Sequence, residues 1–357
     1  MSVPTSLRSL LEAVGPSGYE LAPAEAFAAL ARAYTDDVEI DLVGSVTARV
    51  PGTIDGAPRI AFVGHVDEIG VIITHIDDKG FLWFAPVGGW DPVILVGQRL
   101  RLQTNNGTVR GVVGKKAIHL LEPDERGKPV KLSQLHIDIG AADGDEAKRT
   151  VEVGDVAVVD ADPVELLGER VSARAMDNRL GAYVAVDAAR RIAAAGGAAS
   201  EVVAVGSAQE EITFAGAKTS AFRIDPQIAI VIDVTHATDS PGIEEKELGS
   251  HPLGSGPVIQ RGSTVHPAIS RLLVETAEAE GIPYSLEVSG RGTSTDADAV
   301  HVARQGIACG VVSIPLRYMH SPVETIDLRD VEAAVALVAA FAQRVPADLD
   351  LRRSAGR

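Results

Sequence analysis

The sequence predicts an α/β fold, a mostly parallel sheet sandwiched by helices, with an all-β segment inserted into it. Three observations carry this. Short apolar runs such as Ile60–Gly64, Ile228–Asp233 and Ala308–Ile314 read as strands buried on both faces. Helical stretches alternate with them, the order expected of a parallel sheet. From about Gly70 to Asp162 the pattern changes to short β-rich pieces separated by Gly, Asn and Asp turns.

Taken in order, Leu7, Leu10, Leu11 and Val14 share one helical face, and Gly15-Pro16-Ser17-Gly18 breaks the run. Ala24–Tyr34 is a second helix, with Pro23 tolerated in its first turn. Val38–Leu42 and Val46–Val50 are strands around a turn at Gly44, and Ile60–Gly64 is a buried strand. Gly70–His75, Phe81–Phe84, Arg99–Gln103, Val109–Val113 and Val156–Val159 form the β module. Beyond Glu165, helix Leu180–Ala195, strands Glu201–Ser207 and Ile228–Asp233, helix Pro267–Glu280 and strand Tyr284–Val288 follow. A short helix Ala297–Arg304, strand Ala308–Ile314 and helix Leu328–Val345 complete the domain, before a polar tail Arg352–Arg357. Residues 1–69 and 165–357 thus form one discontinuous domain, and 70–164 an insertion.

Length and charge agree with this division. The 357 residues suit about two domains. Lys and Arg number 33 against 49 Asp and Glu, a net charge of −16, which argues against nucleic acid or anionic membrane as a partner. No apolar run reaches the ~18 residues that span a bilayer. Met1–Arg8 lacks the basic-then-apolar order of a signal peptide. A lone Cys309 excludes an internal disulfide and points to a reducing cytoplasm.

Functional groups in open α/β sheets gather beyond the carboxyl ends of the strands. Those ends lead to His65-Val-Asp67-Glu68, to Gln209-Glu210-Glu211, to Asp233 and to Met319-His320-Ser321, and Asp177 precedes the Leu180 helix. Imidazole with carboxylate suits Zn²⁺, Co²⁺ or Mn²⁺ better than Mg²⁺ or a thiolate-seeking metal. Two His and three carboxylates are enough for two ions sharing one bridging carboxylate, and a further carboxylate can act as base towards a water. In Glu210-Glu211 one side chain can bind metal while the other reaches that water. Asp67 can accept a hydrogen bond from the second ring nitrogen of His65 and fix its tautomer. A single His or an isolated Glu-Glu pair is ordinary packing or surface chemistry; their order and shared placement are what point to a site.

The segments Gly64-His-Val-Asp-Glu-Ile-Gly70, Ala175-Met-Asp-Asn-Arg179, Ser207-Ala-Gln-Glu-Glu211, Val231-Ile-Asp-Val234 and Tyr318-Met-His-Ser-Pro-Val-Glu-Thr325 carry a family likeness. With Gly15-Pro-Ser-Gly18 and Ile137-Asp-Ile-Gly140, they cover essentially the whole chain. The chain resembles the tetrahedral aminopeptidases, the glutamyl and deblocking aminopeptidase family of dinuclear metallopeptidases. The resemblance implies a zinc-aminopeptidase-like fold whose β insertion is a dimerisation domain, with dimers assembling to a dodecamer. It implies that His65 and Asp233 hold one divalent ion, Glu211 and His320 the other, and that Asp177 bridges them. Zn²⁺ is the ion expected, with Co²⁺ or Mn²⁺ as substitutes. Glu210 is then the general base and Asp67 the partner that orients His65. A cis peptide between Asp177 and Asn178 is also implied. The activity implied is removal of N-terminal residues from peptides with a free N-terminus, through a water bridging two metal ions.

Other readings compete. A carboxypeptidase or N-acyl-amino-acid deacylase would need a cationic clamp, for which Arg291 or Arg317 is available. A glycoside hydrolase such as an endoglucanase would need carboxylates flanking the bond. Adjacent Glu210 and Glu211 suit that poorly, and it leaves His65 and His320 without work. A scaffold that keeps the fold without catalysis leaves the whole set unexplained. His75, His119, His136, His236, His251, His266 and His301 take structural roles by default, with His236 the nearest rival ligand. Trp83 and Trp90 pack the insertion or its interface, Gly88-Gly89 is a turn, and Glu122–Lys131 a solvated loop.

Overall fold

Residues 2–124 and 126–353 are described by the structure, a computed structural model. Glu125 of the solvated loop and the end of the polar tail, 354–357, lie outside them.

The chain enters through α1 (Thr5–Glu12), which buries Leu7, Leu10 and Leu11 on one face, and α2 (Leu21–Ala31), with Pro23 inside its first turn. Antiparallel β1 (Val38–Ile40) and β2 (Val46–Val50) turn at Gly44, and β3 (Ile60–His65) is buried along its length. Then come β4 (Gly70–Ile76), β5 (Leu82–Val87), α3 (Pro92–Leu95), β6 (Arg99–Thr104), β7 (Gly107–Gly114), β8 (His136–Asp138), α4 (Gly144–Thr150) and β9 (Val156–Val159). Strands β4 to β9 close into a barrel in the order β4-β5-β8-β7-β6-β9. The barrel has its own core, in which Val71, Leu82, Leu100 and Ile137 are buried together. Helix α4 departs from the all-β expectation. The Asp143 side chain accepts from the Glu146 N–H at 2.8 Å to start it, and seven residues are too few for the sequence to show its period.

After the barrel the chain forms β10 (Val164–Glu165), β11 (Arg170–Ala173), α5 (Met176–Ala194), β12 (Val202–Ser207), α6 (Glu210–Thr213), α7 (Ala215–Ile224) and β13 (Ile228–His236). It continues as α8 (Glu245–Leu248), β14 (Val258–Gly262), α9 (Pro267–Glu280), β15 (Ser285–Ser289), α10 (Ala297–Val300), β16 (Ala308–Leu316), β17 (Glu324–Asp327) and α11 (Leu328–Arg344). The main sheet runs β1-β2-β12-β3-β13-β16-β14-β15. Its centre, β12-β3-β13-β16, is parallel, and β2 and β14 join it antiparallel. Along β3, Ile60 and Phe62 join the core beneath α1, α2, α5, α9 and α11, while Ala61 and Val63 pack with Ala217, Ala221 and Val300 of α7 and α10. That alternation is why β3 reads as a continuous apolar run.

Two glycines bring the distant parts of the site together. A Cβ on Gly64 would lie 2.2 Å from the Gly181 carbonyl carbon, and one on Gly181 would lie 2.3 Å from the Ile232 oxygen. Helix α5 therefore rests directly on β3 and β13, which carries Asp177 at its start to His65 at the end of β3, 112 residues away in sequence. Gly64→Ala cannot be absorbed by a side-chain shift, because the obstacle is backbone. It is expected to lower stability by about 1–3 kcal/mol, as overpacking does, read from the denaturation midpoint.

Candidate active site

Five predicted ligands converge at the carboxyl edge of the parallel strands. His65 ends β3, Asp233 lies in β13, Asp177 and Glu211 begin α5 and α6, and His320 follows β16. The Asp177–Asn178 peptide is cis. His65 Nε2 lies 3.2 Å from Asp177 Oδ1, and His320 Nε2 lies 3.4 Å from both Asp177 Oδ2 and Glu211 Oε1. Donor atoms of His65, Asp177 and Asp233 lie within 4.8 Å of one another, as do those of Asp177, Glu211 and His320. The two trios share Asp177. A third grouping joins His65, Glu210 and Glu211. Glu211 also reaches His320, whereas Glu210 lies 3.7 Å from His65 Nε2 and joins neither trio that contains Asp177.

Both imidazoles are fixed through their other nitrogen, leaving Nε2 facing Asp177. His320 Nδ1 donates to the Gly89 carbonyl at 2.9 Å. The Gly88-Gly89 turn of the insertion is thus part of the site. His65 Nδ1 faces Asp67, 3.3 Å from its carbonyl oxygen and 3.4 Å from Oδ1. Asp67 is buried and accepts from the backbone N–H groups of Glu210 and Glu211, each at 3.1 Å, and from the Ser17 hydroxyl at 2.5 Å. It therefore positions His65 and the start of α6 together, and ties in the Gly15–Gly18 loop.

Glu324 was not singled out from the sequence as a site residue. It is buried and accepts from the backbone N–H of Asp177 at 3.1 Å and of His320 at 2.9 Å. The small sheet β10-β11-β17 places it there, since Ala173 pairs with Glu324 and β11 runs straight into α5. Behind Asp67, the buried Glu68 carboxylate pairs with Arg174 and with Arg179. Arg179 donates to the carbonyls of Leu10 and Ala13, satisfying the end of α1. Ala175, Gln209 and Tyr318, each two residues before a proposed ligand, and the ligand His320 itself all hold left-handed backbone, a disfavoured region for non-glycine residues.

The electrostatics suit cations. Burial pushes Asp233 and Glu324 well above the usual carboxylate range, and burial with nearby Asp233, Asp296 and Glu211 raises Glu210 to about 10 against the pull of His65. Hydrogen bonds to Asp177 and Glu211 raise His320 to about 11. The protein alone thus holds protons where like charges crowd together. A nitrogen and oxygen donor set with no thiolate fits one or two borderline divalent ions.

A cavity of about 400 Å³ opens onto this cluster. Phe214, Val234, Met319, Glu287 and the Thr293–Thr295 loop complete its lining. In that loop, Asp298 accepts the N–H groups of Thr293 and Ser294, and the following Asp296 accepts the Ser207 hydroxyl. His236 also lines the cavity but joins no metal-competent group among the described residues. His136 packs edge-on against Phe81, and His251, His266 and His301 hydrogen-bond within the fold. Arg317 is occupied by Asp239, with Nε at 2.9 Å, and Arg291 is exposed outside the cavity lining.

A family model described as M42 glutamyl aminopeptidase matches residues 44–337. The lysyl aminopeptidase of Pyrococcus furiosus is 34% identical over 95% of this chain and 96% of its own. A TET aminopeptidase structure from a marine sediment archaeon, Thaumarchaeota archaeon SCGC AB-539-E09, superposes with a TM-score of 0.90 at 35% identity, covering 96% of both chains. The TET1 peptidase of Pyrococcus horikoshii, which can assemble into a tetrahedron or a large octahedral shell, matches at a TM-score of 0.83 and 31% identity, over 95% of this chain and 99% of that one.

Proposed function

Because the chain belongs to the M42 glutamyl aminopeptidase family and is an aminopeptidase, we propose that it works as a dinuclear metalloenzyme at the His65–His320 cluster. His65 and Asp233 would hold one divalent ion, Glu211 and His320 the other, and Asp177 both. Zn²⁺ suits the donors, as do Co²⁺ and Mn²⁺. When bound, such a pair supplies Lewis acidity towards the scissile carbonyl and lowers the pKa of water. The observation that carries the reading is the pair of donor trios with Asp177 in common.

The chain's own groups do the rest. Glu210 faces the cavity beside the ligands without belonging to either trio that shares Asp177; cations beside it would favour its ionised form, and its carboxylate would then take a proton from water and return it to the leaving amine. Asp67 holds His65 and the Glu210-Glu211 backbone in place. The cavity lining described here contains no Lys or Arg, which disfavours a carboxypeptidase or deacylase that must clamp a substrate carboxylate. Adjacent Glu210 and Glu211 sharing one cluster also disfavour a glycosidase, whose carboxylates flank the bond.

The insertion, 70–164, is proposed as the dimerisation domain of a homo-oligomer that builds to a dodecamer. Exposed Val93, Val112, Ile118 and Leu120 on it support a buried surface in the assembly. The cytoplasm is proposed as its location, consistent with the single buried Cys309. Among the described residues no helix is long and apolar enough to cross a membrane.

The test uses aminoacyl anilides and short peptides, with the metal-stripped protein reloaded with Zn²⁺, Co²⁺ or Mn²⁺. Hydrolysis of free but not N-acetylated substrates, lost on chelation and restored by metal, is expected. Chelator-resistant hydrolysis, or equal rates on acetylated substrates, would overturn the proposal. A solution mass of a monomer would remove the assembly.

A further inference from the structure

We propose that Glu20 is a positioning residue for hydrolysis, holding the backbone of Gln209 so that Glu210 is aimed at the attacking water. This rests on the reading of Glu210 as general base and adds the residue that keeps it in place.

Glu20 immediately precedes α2, yet its side chain does not cap that helix. Its Oε1 instead accepts the N–H of Gly18 at 2.6 Å and of Gln209 at 3.0 Å. Glu20 is 3% exposed and forms no ion pair among the described residues. Burial pushes its carboxyl up to about 7, against the pull of those two N–H groups. A carboxylate withdrawn from water without a cationic partner is a costly way to secure a fold. What it secures is the approach to the base.

Gln209 needs that hold. Its φ of 59° is left-handed, unusual for a residue with a side chain, and it opens the four-residue α6 without a side-chain cap. Four successive N–H groups here are taken by side chains from elsewhere. Ser45 Oγ accepts from Ala208 at 3.1 Å, Glu20 from Gln209, and Asp67 from Glu210 and Glu211. The Gly15–Gly18 loop joins two of these acceptors, since Ser17 donates to Asp67 and Gly18 to Glu20. Without Glu20 the left-handed turn is free to relax, and the neighbouring Glu210 shifts with it. Asp67 still holds the N–H of Glu211, so the ligand is disturbed less than the base.

The metal-loaded enzyme is assayed on the aminoacyl p-nitroanilide it cleaves best. Glu20→Ala is expected to lower kcat by about 10- to 100-fold, the cost of a misplacement of about 1 Å, with KM and metal content nearly unchanged. Glu20→Gln, whose amide oxygen can still accept both N–H groups, should recover most of that loss. In a Glu210→Gln background, Glu20→Ala should cost little more, because aim is irrelevant once the base is gone. Should the alanine form fail to fold, Glu20→Asp, one methylene shorter, reads the same fall in kcat. A Glu20→Ala or Glu20→Asp enzyme that melts lower but keeps the wild-type kcat overturns the inference. So does a loss that multiplies in the Glu210→Gln background, or a fall in metal content, because Glu20 would then support the fold or the ions and not the base. Full turnover of Glu210→Gln alone, with its ions present, overturns the reading of the base and the inference with it.

Discussion

Glu210→Gln is expected to retain both metal ions and the fold while losing about 10²- to 10⁴-fold in kcat, the range a positioned general base contributes. The substitution is nearly isosteric and keeps a polar group 3.7 Å from His65, but an amide cannot take a proton from water. Glu210 belongs to neither of the two trios that share Asp177, so its loss should spare them. KM should change far less than kcat, because the interaction lost is made mainly in the transition state. Metal analysis beside steady-state kinetics checks this. Full turnover with both ions present removes Glu210 as base, and loss of metal makes it a ligand.

Asp177→Ala is expected to cost more, because in the proposed arrangement one carboxylate serves both sites. Asp177 Oδ1 lies 3.2 Å from His65 Nε2 and Oδ2 3.4 Å from His320 Nε2, and among the described residues no other carboxylate belongs to both of these trios. Its removal leaves each ion with one His and one carboxylate, short of the three protein ligands usual at catalytic zinc. Occupancy of both ions should fall together, and activity with them, to the level of the chelated wild type. Asp233→Ala should empty one ion preferentially. Equal occupancy in Asp177→Ala and the wild type would show that the carboxylate does not bridge.

Much of this was legible in the sequence because strand ends are. Apolar runs located β3, β12, β13 and β16, and each run led directly to a His or carboxylate in the site. What the sequence left obscure depended on partners it does not print. Glu324 gains its role only when β17 pairs with β11, which no periodicity reveals. The Gly89 contribution is a backbone oxygen, so no side chain announces it. Glu287 lies on edge strand β15, where an isolated Glu reads as surface charge until the cavity beside it is seen. Strand β14, Val-Ile-Gln-Arg-Gly, is too polar at its end for apolar-run reading, and α4 too short for helical periodicity. The turn at Gly88-Gly89 and the loop at Thr293–Thr295 were visible as breaks, but their place beside His320 and the cavity required the fold.

In the proposed enzyme one shared carboxylate, Asp177, organises two ions in a single cluster. The most direct measurement is the number of divalent ions retained per chain after the stripped enzyme is saturated with Zn²⁺ and dialysed, counted by elemental mass spectrometry against protein concentration. Two per chain is the predicted result. One ion per chain, or none, would contradict it.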